Sequence, residues 1–166
     1  MADEEIAMLT TLDQVYERLR KAKEAEDEAR LLGLDGFDYQ VYKELMTLGE
    51  GLGSFPKEDM VPENRVAKCQ STVYIAGELE QGRMQFRGCS DAAFVRGELA
   101  ILVGTMSGLS PCEVVTAKAQ VGQFAEKLKG IVTISLIRGE GFLGMYEKMR
   151  EISCEYCQTS EIQISQ

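Results

Sequence analysis

Histidine is absent from this 166-residue chain, and that absence excludes more chemistry than any motif adds. Without imidazole there is no Ser–His or Cys–His nucleophile pair and no histidine general base. Zinc sites that need a histidine ligand are excluded as well. Also missing is an apolar run long enough to span a bilayer, so no membrane is expected as a partner. Basic charge is scarce: 18 Lys and Arg stand against 27 Asp and Glu, a net charge of −9. Nucleic-acid binding rests on a basic surface that neutralises phosphates, and this balance opposes it. The basic cluster Arg18, Arg20, Lys21 and Lys23 is interleaved with Glu17, Glu24 and Glu26. It reads as one stripe of an ion-paired helix. The opening MADEEIAMLT is acidic and lacks the apolar core of a secretory signal. A transit peptide would be Arg-rich and poor in acid, so the expected location is cytoplasmic.

What remains is an ordinary globular composition, 45% apolar and 27% charged, in a length that suits one domain with a real core. There are five cysteines: Cys69, Cys89, Cys112, Cys154 and Cys157. An odd number with no export signal argues against a disulfide framework and for thiol chemistry in a reducing compartment.

Apolar spacing predicts a helix from Ile6 to about Leu32, with Leu9, Leu12, Tyr16 and Leu19 on one face. Its second half is nearly all polar, which suits a solvated helix with a thin contact stripe. A second helix is expected from about Asp38 to Glu50, carrying Val41, Leu45 and Leu48 inward, with Leu52 continuing that face. Gly51, Gly53, Pro56 and Pro62 then mark a loop. Thr72–Ala76 and Arg83–Arg87 read as strands, the second with Met84 and Phe86 on one face, and Glu80-Gln81-Gly82 supplies the hairpin turn. Ser90 and Asp91 are expected helix N-caps. The run AAFVRGELAILVGTM after them is the expected central buried helix, with Val95, Leu99, Leu102, Val103 and Met106 as its stripe. Gly97 and Gly104 are expected where a neighbour approaches closely. Ser110-Pro111, with Glu113 behind, opens another helical turn, and a short helix follows at about Val121–Lys129. The β-branched run 131–137 favours a strand without a fixed partner. Gly139 to Ile152 closes the domain as an amphipathic helix, and the polar tail after Cys157 is expected to fray. The expected fold class is α+β, a small antiparallel sheet covered by helices.

The stretch that carries chemistry is Glu63-Asn-Arg65-Val-Ala-Lys68-Cys69-Gln70-Ser71-Thr-Val-Tyr-Ile. A cysteine sits where a polar loop enters a strand, and loop tips are where reactive side chains meet partners. Two further segments follow in order: Arg87-Gly-Cys-Ser-Asp91-Ala-Ala-Phe-Val-Arg-Gly, and Ser135-Leu-Ile-Arg138-Gly-Glu-Gly141. Together, over about Tyr39 to Arg150, the chain resembles the SufE family of sulfur acceptors. Members show an ENRV-x-x-Cys-Gln-Ser-x-V-aromatic segment, a hairpin, a G-x-S-D-A helix start and a Ser-x-x-Arg-x-x-Gly pattern. The resemblance implies a SufE/IscU-like fold for residues 38–152. Residues 1–37 would form a helical extension and 153–166 a polar tail.

It also implies a function. A pyridoxal-phosphate cysteine desulfurase, of the SufS or CsdA type, would hold sulfur as a persulfide. Cys69 would accept that sulfur and pass it to an iron–sulfur scaffold of the SufB type or another recipient, accelerating the desulfurase without turnover of its own. Asp91 and Arg138 correspond to family positions near the acceptor loop or the partner surface, with Arg65, Lys68, Gln70 and Ser71 in support. No cofactor or metal of its own is implied, and the chain would work as a monomer or weak homodimer. Persulfide transfer is an exchange at sulfur and needs a thiolate, access and shelter. Cations favour the thiolate, so Lys68, Arg65 or Arg138 is expected to lower the Cys69 pKa. One departure is Lys68, where the family usually has Gly; Lys resists backbone conformations that Gly permits. Tyr74 stands where many members have Trp.

Other readings compete. Cys89 and Cys112 suit ordinary packing. Cys154-Glu-Tyr-Cys157 has the spacing of a redox pair or half a zinc site, but neither the thioredoxin-like context nor the missing ligands accompany it. The alternatives are therefore an IscU-like scaffold or metal-binding protein, and a dithiol redox protein using Cys154 and Cys157. Gly49-Glu-Gly-Leu-Gly53 superficially resembles a phosphate loop but lacks the strand–helix context and the Lys-Ser/Thr ending.

Overall fold

A computed structural model describes residues 2–36, 39–132 and 139–164. Helix α1 (Ala2–Leu31) and helix α2 (Gln40–Glu50) lead, followed by two 3-10 turns at Lys57–Asp59 and Pro62–Asn64. Strands β1 (Val73–Glu80) and β2 (Arg83–Ser90) form an antiparallel hairpin. Helices α3 (Ala93–Met106), α4 (Pro111–Thr116), α5 (Lys118–Lys129) and α6 (Gly139–Ile164) complete the order. The α+β class is as expected: one two-stranded sheet among helices. Among the described residues no helix is long and apolar enough to cross a membrane.

The hairpin runs longer than its alternation suggested because Gln81 and Gly82 both take left-handed backbone, φ 51° and 78°. That turn matches the strand twist and lets all eight residue pairs from Val73↔Ser90 to Glu80↔Arg83 form. Met84, Phe86 and Gly88 point inward, as the period of two demands. The outer edge of β2 is occupied where Met84 exchanges backbone hydrogen bonds with Gly108 and Leu109 at 2.8 Å. The outer edge of β1 is taken by the segment just before it, through Val66 N–H donating to the Val73 carbonyl at 2.9 Å. Covered edges leave the small sheet little surface for stray pairing.

Helix α3 is the centre: it packs on α2, β2, α1 and α6. Leu99, Leu102 and Met106 are buried, whereas Val95 and Val103 are half-buried. Gly97 lies where α2 comes closest; a Cβ there would stand 2.3 Å from the Leu45 carbonyl oxygen. Gly104 does not share that role: it is exposed, with nothing within 4 Å of a built Cβ. The cap also differs from expectation. Ser90 is the last residue of β2 and its Oγ accepts from Ala92 N–H at 3.2 Å, a local turn, so that Ala92 is the N-cap. At α4 the expected signal holds: Ser110 and Glu113 form a reciprocal capping box with Pro111 at the first position.

Among the described side chains of helix α1, Leu12, Leu19 and Ala29 are buried, and its outer face carries Arg20–Glu17 and Lys23–Asp27 pairs. Helix α2 starts at Gln40 because Tyr39 has φ 75°, outside helical space. Helix α6 continues to Ile164, twelve residues past the expected stop at Ile152. Phe142, Met145, Tyr146 and Met149 form its buried face, and Tyr146 Oη donates to the Val114 carbonyl of α4 at 2.7 Å. The strand expected over 131–137 lies outside the described residues except for Ile131 and Val132, which are buried and not in a strand.

Candidate functional site

The segment between the second 3-10 turn and β1 closes on itself. Arg65 bridges Tyr74 and Val66 pairs with Val73, so residues 67–72 form a short loop pinched at its base. Val66 and Val73 are buried and anchor that base in the core. Lys68 and Gln70 at the tip are exposed, and Cys69 between them is half-buried. Lys68 is not among the residues with left-handed backbone, so the loop makes no demand here that only glycine meets. Tyr74, at the position next to the base, stacks on Phe55 at 6.4 Å between ring centroids.

The loop lies against the start of α6, and two glycines make room for it. A Cβ on Gly144 would stand 3.2 Å from the Lys68 Cβ, and one on Gly141 would stand 3.7 Å from the Cys69 Sγ. The Cys69 thiol donates to the Gly141 carbonyl at 3.5 Å. On the far side of the loop an open cleft of about 500 Å³ runs along α6 from Gly144 to Cys154, with Arg65, Lys68, Lys148 and Arg150 among its walls. Lys148 ties α6 to the approach of the loop by donating to the Glu63 carbonyl.

The electrostatics differ from expectation at Lys68 and Arg65, two of the three cations named from sequence. Burial, and then the Glu98 carboxylate of α3, push the Cys69 thiol up from its ordinary value. Neither Lys68 nor Arg65 offsets this, because both side chains are in solvent, where a charge is screened. In the free chain Cys69 is thus a partly sheltered thiol.

The site residues expected from sequence fall into three groups. Arg65, Lys68, Cys69, Gln70 and Ser71 all lie on the pinched loop or its base. Asp91 follows Ser90, which pairs with Val73, so it sits at the same end of the hairpin as the loop. Arg138 lies outside the described residues. Glu98 was not singled out from sequence. Its signal is a carboxylate three residues after Val95 and four before Leu102, inside an apolar stripe. It is 5% exposed, and burial raises its pKa to about 8.

The other cysteines are arranged differently from expectation. Cys112 and Cys157 form a disulfide, with their Cα atoms 4.9 Å apart. Cys154 and Cys89 are free and half-buried. The fold brings the start of α4 against the far end of α6, a proximity that the sequence separation of 45 residues conceals. The Cys154–Cys157 spacing is therefore not the observed pairing. Among the described residues no three of His, Cys, Asp and Glu converge as a metal site.

Comparison with known proteins agrees with this geometry. Residues 35–153 match the family model SufE, the Fe-S metabolism associated domain. An uncharacterized SufE-like protein of Synechocystis is 32% identical over 109 residues, covering 66% of this chain and 67% of its own. Another from Rhizobium etli is 32% identical over 114 residues, covering 66% and 76%. A hypothetical protein from Thermus thermophilus, solved in solution, superposes with a TM-score of 0.58 at 16% identity, covering 85% of this chain and 96% of that one. That likeness concerns the fold.

Proposed function

The chain belongs to the SufE family, associated with iron–sulfur metabolism, and on that premise we propose that Cys69 is the acceptor of persulfide sulfur from a cysteine desulfurase. The observation that carries this reading is the setting of Cys69: the tip of a loop pinched by Val66 and Val73, with its sulfur against the first turn of α6. The step is an exchange. The Cys69 sulfur attacks the outer sulfur of the donor persulfide, a new S–S bond forms, and the donor cysteine leaves as thiolate. No electrons are gained or lost overall, and neither histidine nor metal is required. The reverse geometry serves delivery: a recipient thiolate attacks the outer sulfur now on Cys69.

Half-burial suits a carrier. A perthiolate left in open solvent meets any passing thiol, whereas one held against a helix backbone reacts chiefly with a partner that moves the loop. Only the loop tip must shift, because its base is buried and hydrogen-bonded. Arg65, Lys68, Gln70, Ser71 and Asp91 lie at that end of the molecule and would meet the desulfurase, Arg138 with them. The recipient would be an iron–sulfur scaffold or another sulfur acceptor, and the place of work the cytoplasm.

The test is incubation with a cysteine desulfurase and cysteine, followed by mass spectrometry without reductant. One added sulfur atom on the Cys69 peptide is expected, together with faster desulfurase turnover, and both should vanish in Cys69→Ser. An adduct that persists elsewhere in Cys69→Ser, or none in the folded wild type with any desulfurase of this type, would overturn the reading.

A further inference from the structure

The far end of α6 is helical where neither its local sequence nor its packing gives much support. The residues after Cys157 are mostly polar, and a polar tail frays unless something ties it down. Among the described side chains of α6, the fully buried apolar ones end at Met149, and Ile152 and Tyr156 are only half-buried. Ser153 is fully buried, yet its Oγ has no hydrogen-bond partner among the described residues, which weakens the helix at that point. Helix α6 nonetheless runs on to Ile164.

The face turned to α4 accounts for this. Tyr146, Arg150, Ser153 and Cys157 recur at helical spacing and form one stripe. Tyr146 Oη donates to the Val114 carbonyl at 2.7 Å, and Arg150 Nε donates to the Val115 carbonyl at 3.2 Å. The last tie of the stripe is the Cys112–Cys157 bond. Both of its cysteines are half-buried, so a small thiol can reach them. One turn before Cys157, the free thiol of Cys154 stands in the wall of the cleft that runs along α6.

We propose that the Cys112–Cys157 bond is a redox latch: closed, it orders α6 beyond Ser153, and opened by a dithiol it releases that segment and uncovers Cys154. The proposal stands apart from the sulfur-acceptor reading of Cys69. In opening, a thiolate of the dithiol attacks one sulfur of the pair and the other sulfur leaves as thiolate. The second thiolate of the reductant then displaces the first cysteine. The pair gains two electrons and two protons, and the dithiol ends as its own disulfide. Closing runs through glutathione disulfide. One cysteine thiolate takes half of it, the other cysteine displaces that half, and two glutathione thiols leave with the two protons. Release is local, because the tie at Tyr146 lies in the buried part of the helix and does not depend on the bond.

The test uses the whole chain. Wild type is equilibrated in glutathione mixtures that span the poise of a cytosol, quenched with acid, and its free thiols are counted by alkylation and mass spectrometry under denaturing conditions. The closed chain should show three and the open chain five, with the midpoint inside that range. Hydrogen exchange is then compared between the closed chain and the chain opened with dithiothreitol. Amides of residues 154–164 should exchange about tenfold faster when open, while those of 142–149 stay within about twofold. Native alkylation of Cys154 should rise in parallel. Cys112→Ser and Cys157→Ser should exchange like opened wild type with or without reductant, and Cys154→Ser should open and close as wild type does. A pair that stays joined throughout those mixtures, or that opens with exchange at 154–164 unchanged, would overturn the latch. So would equal acceleration at 142–149, which would make the bond a support of the whole fold.

Discussion

Two ends of helix α6 treat sulfur in opposite ways. At its start, Cys69 rests on the Gly141 backbone through a weak 3.5 Å contact. It is half-buried, with burial and Glu98 both holding it as a thiol. Toward its other end, Cys157 is joined to Cys112 of α4 in a bond between two helices. The second site locks its sulfur into the fold. The first keeps its sulfur free while limiting what reaches it. The difference lies in the elements, not in the cysteines: a loop tip can move without disturbing the core, whereas helices α4 and α6 are fastened to each other at Tyr146 as well.

The largest expected effect separates the ends outright. Cys69→Ser should lose sulfur loading entirely, while Cys112→Ser and Cys157→Ser should keep it; mass spectrometry of desulfurase-treated protein reads the difference. Next comes stability. Breaking a disulfide that spans 45 residues should cost about 4 kcal/mol through the freed unfolded chain. Urea unfolding of Cys112→Ser against wild type measures it, and Cys69→Ser should leave the midpoint nearly unmoved.

A third prediction concerns the buried carboxyl of α3. The Glu98 carboxyl is raised from 4.5 to about 8 in the fold. The unfolded chain therefore ionises first as pH rises, and the stability present below about 4.5 is lost progressively up to about 8. Glu98→Leu should remove that loss, gaining a few kcal/mol over wild type at pH 8 and much less at pH 5; urea midpoints at the two pH values test it. The smallest effect sharpens the loop contact. Gly141→Ala places a methyl at ordinary contact with the Cys69 Sγ, 3.7 Å away. It should slow Cys69 alkylation about two- to threefold while costing less than about 0.5 kcal/mol.

Much of the molecule was legible in its sequence where the signal is local. Period-two alternation at Met84 and Phe86 located the hairpin, and the Ser110-Pro111-x-Glu113 cap located α4. The apolar run after Asp91 identified the central helix. The site was legible as a stretch of chain from Glu63 to Ile75 that resembles a known family. Misjudged features depended on distant partners. The residue type of Ser90 suits a helix cap, but its pairing with Val73 draws it into β2. Helix α6 is expected to stop at Ile152, yet it runs on to Ile164 and its Cys157 is bonded to Cys112 of α4. Lys68 adjoins Cys69 in sequence, but the fold turns Lys68 to solvent and sets Cys69 against a helix.

By itself the sequence determined the chemistry open to this protein. Without histidine, chemistry that depends on imidazole was closed to it, and its spacing of apolar residues dictated a small sheet among helices. The tertiary structure decided which thiols stay free, which two are joined, and which carboxyl is buried. Those outcomes follow from the packing of α3, α4 and α6 around the hairpin, and burial and proximity between residues far apart in sequence exist only once the chain has packed.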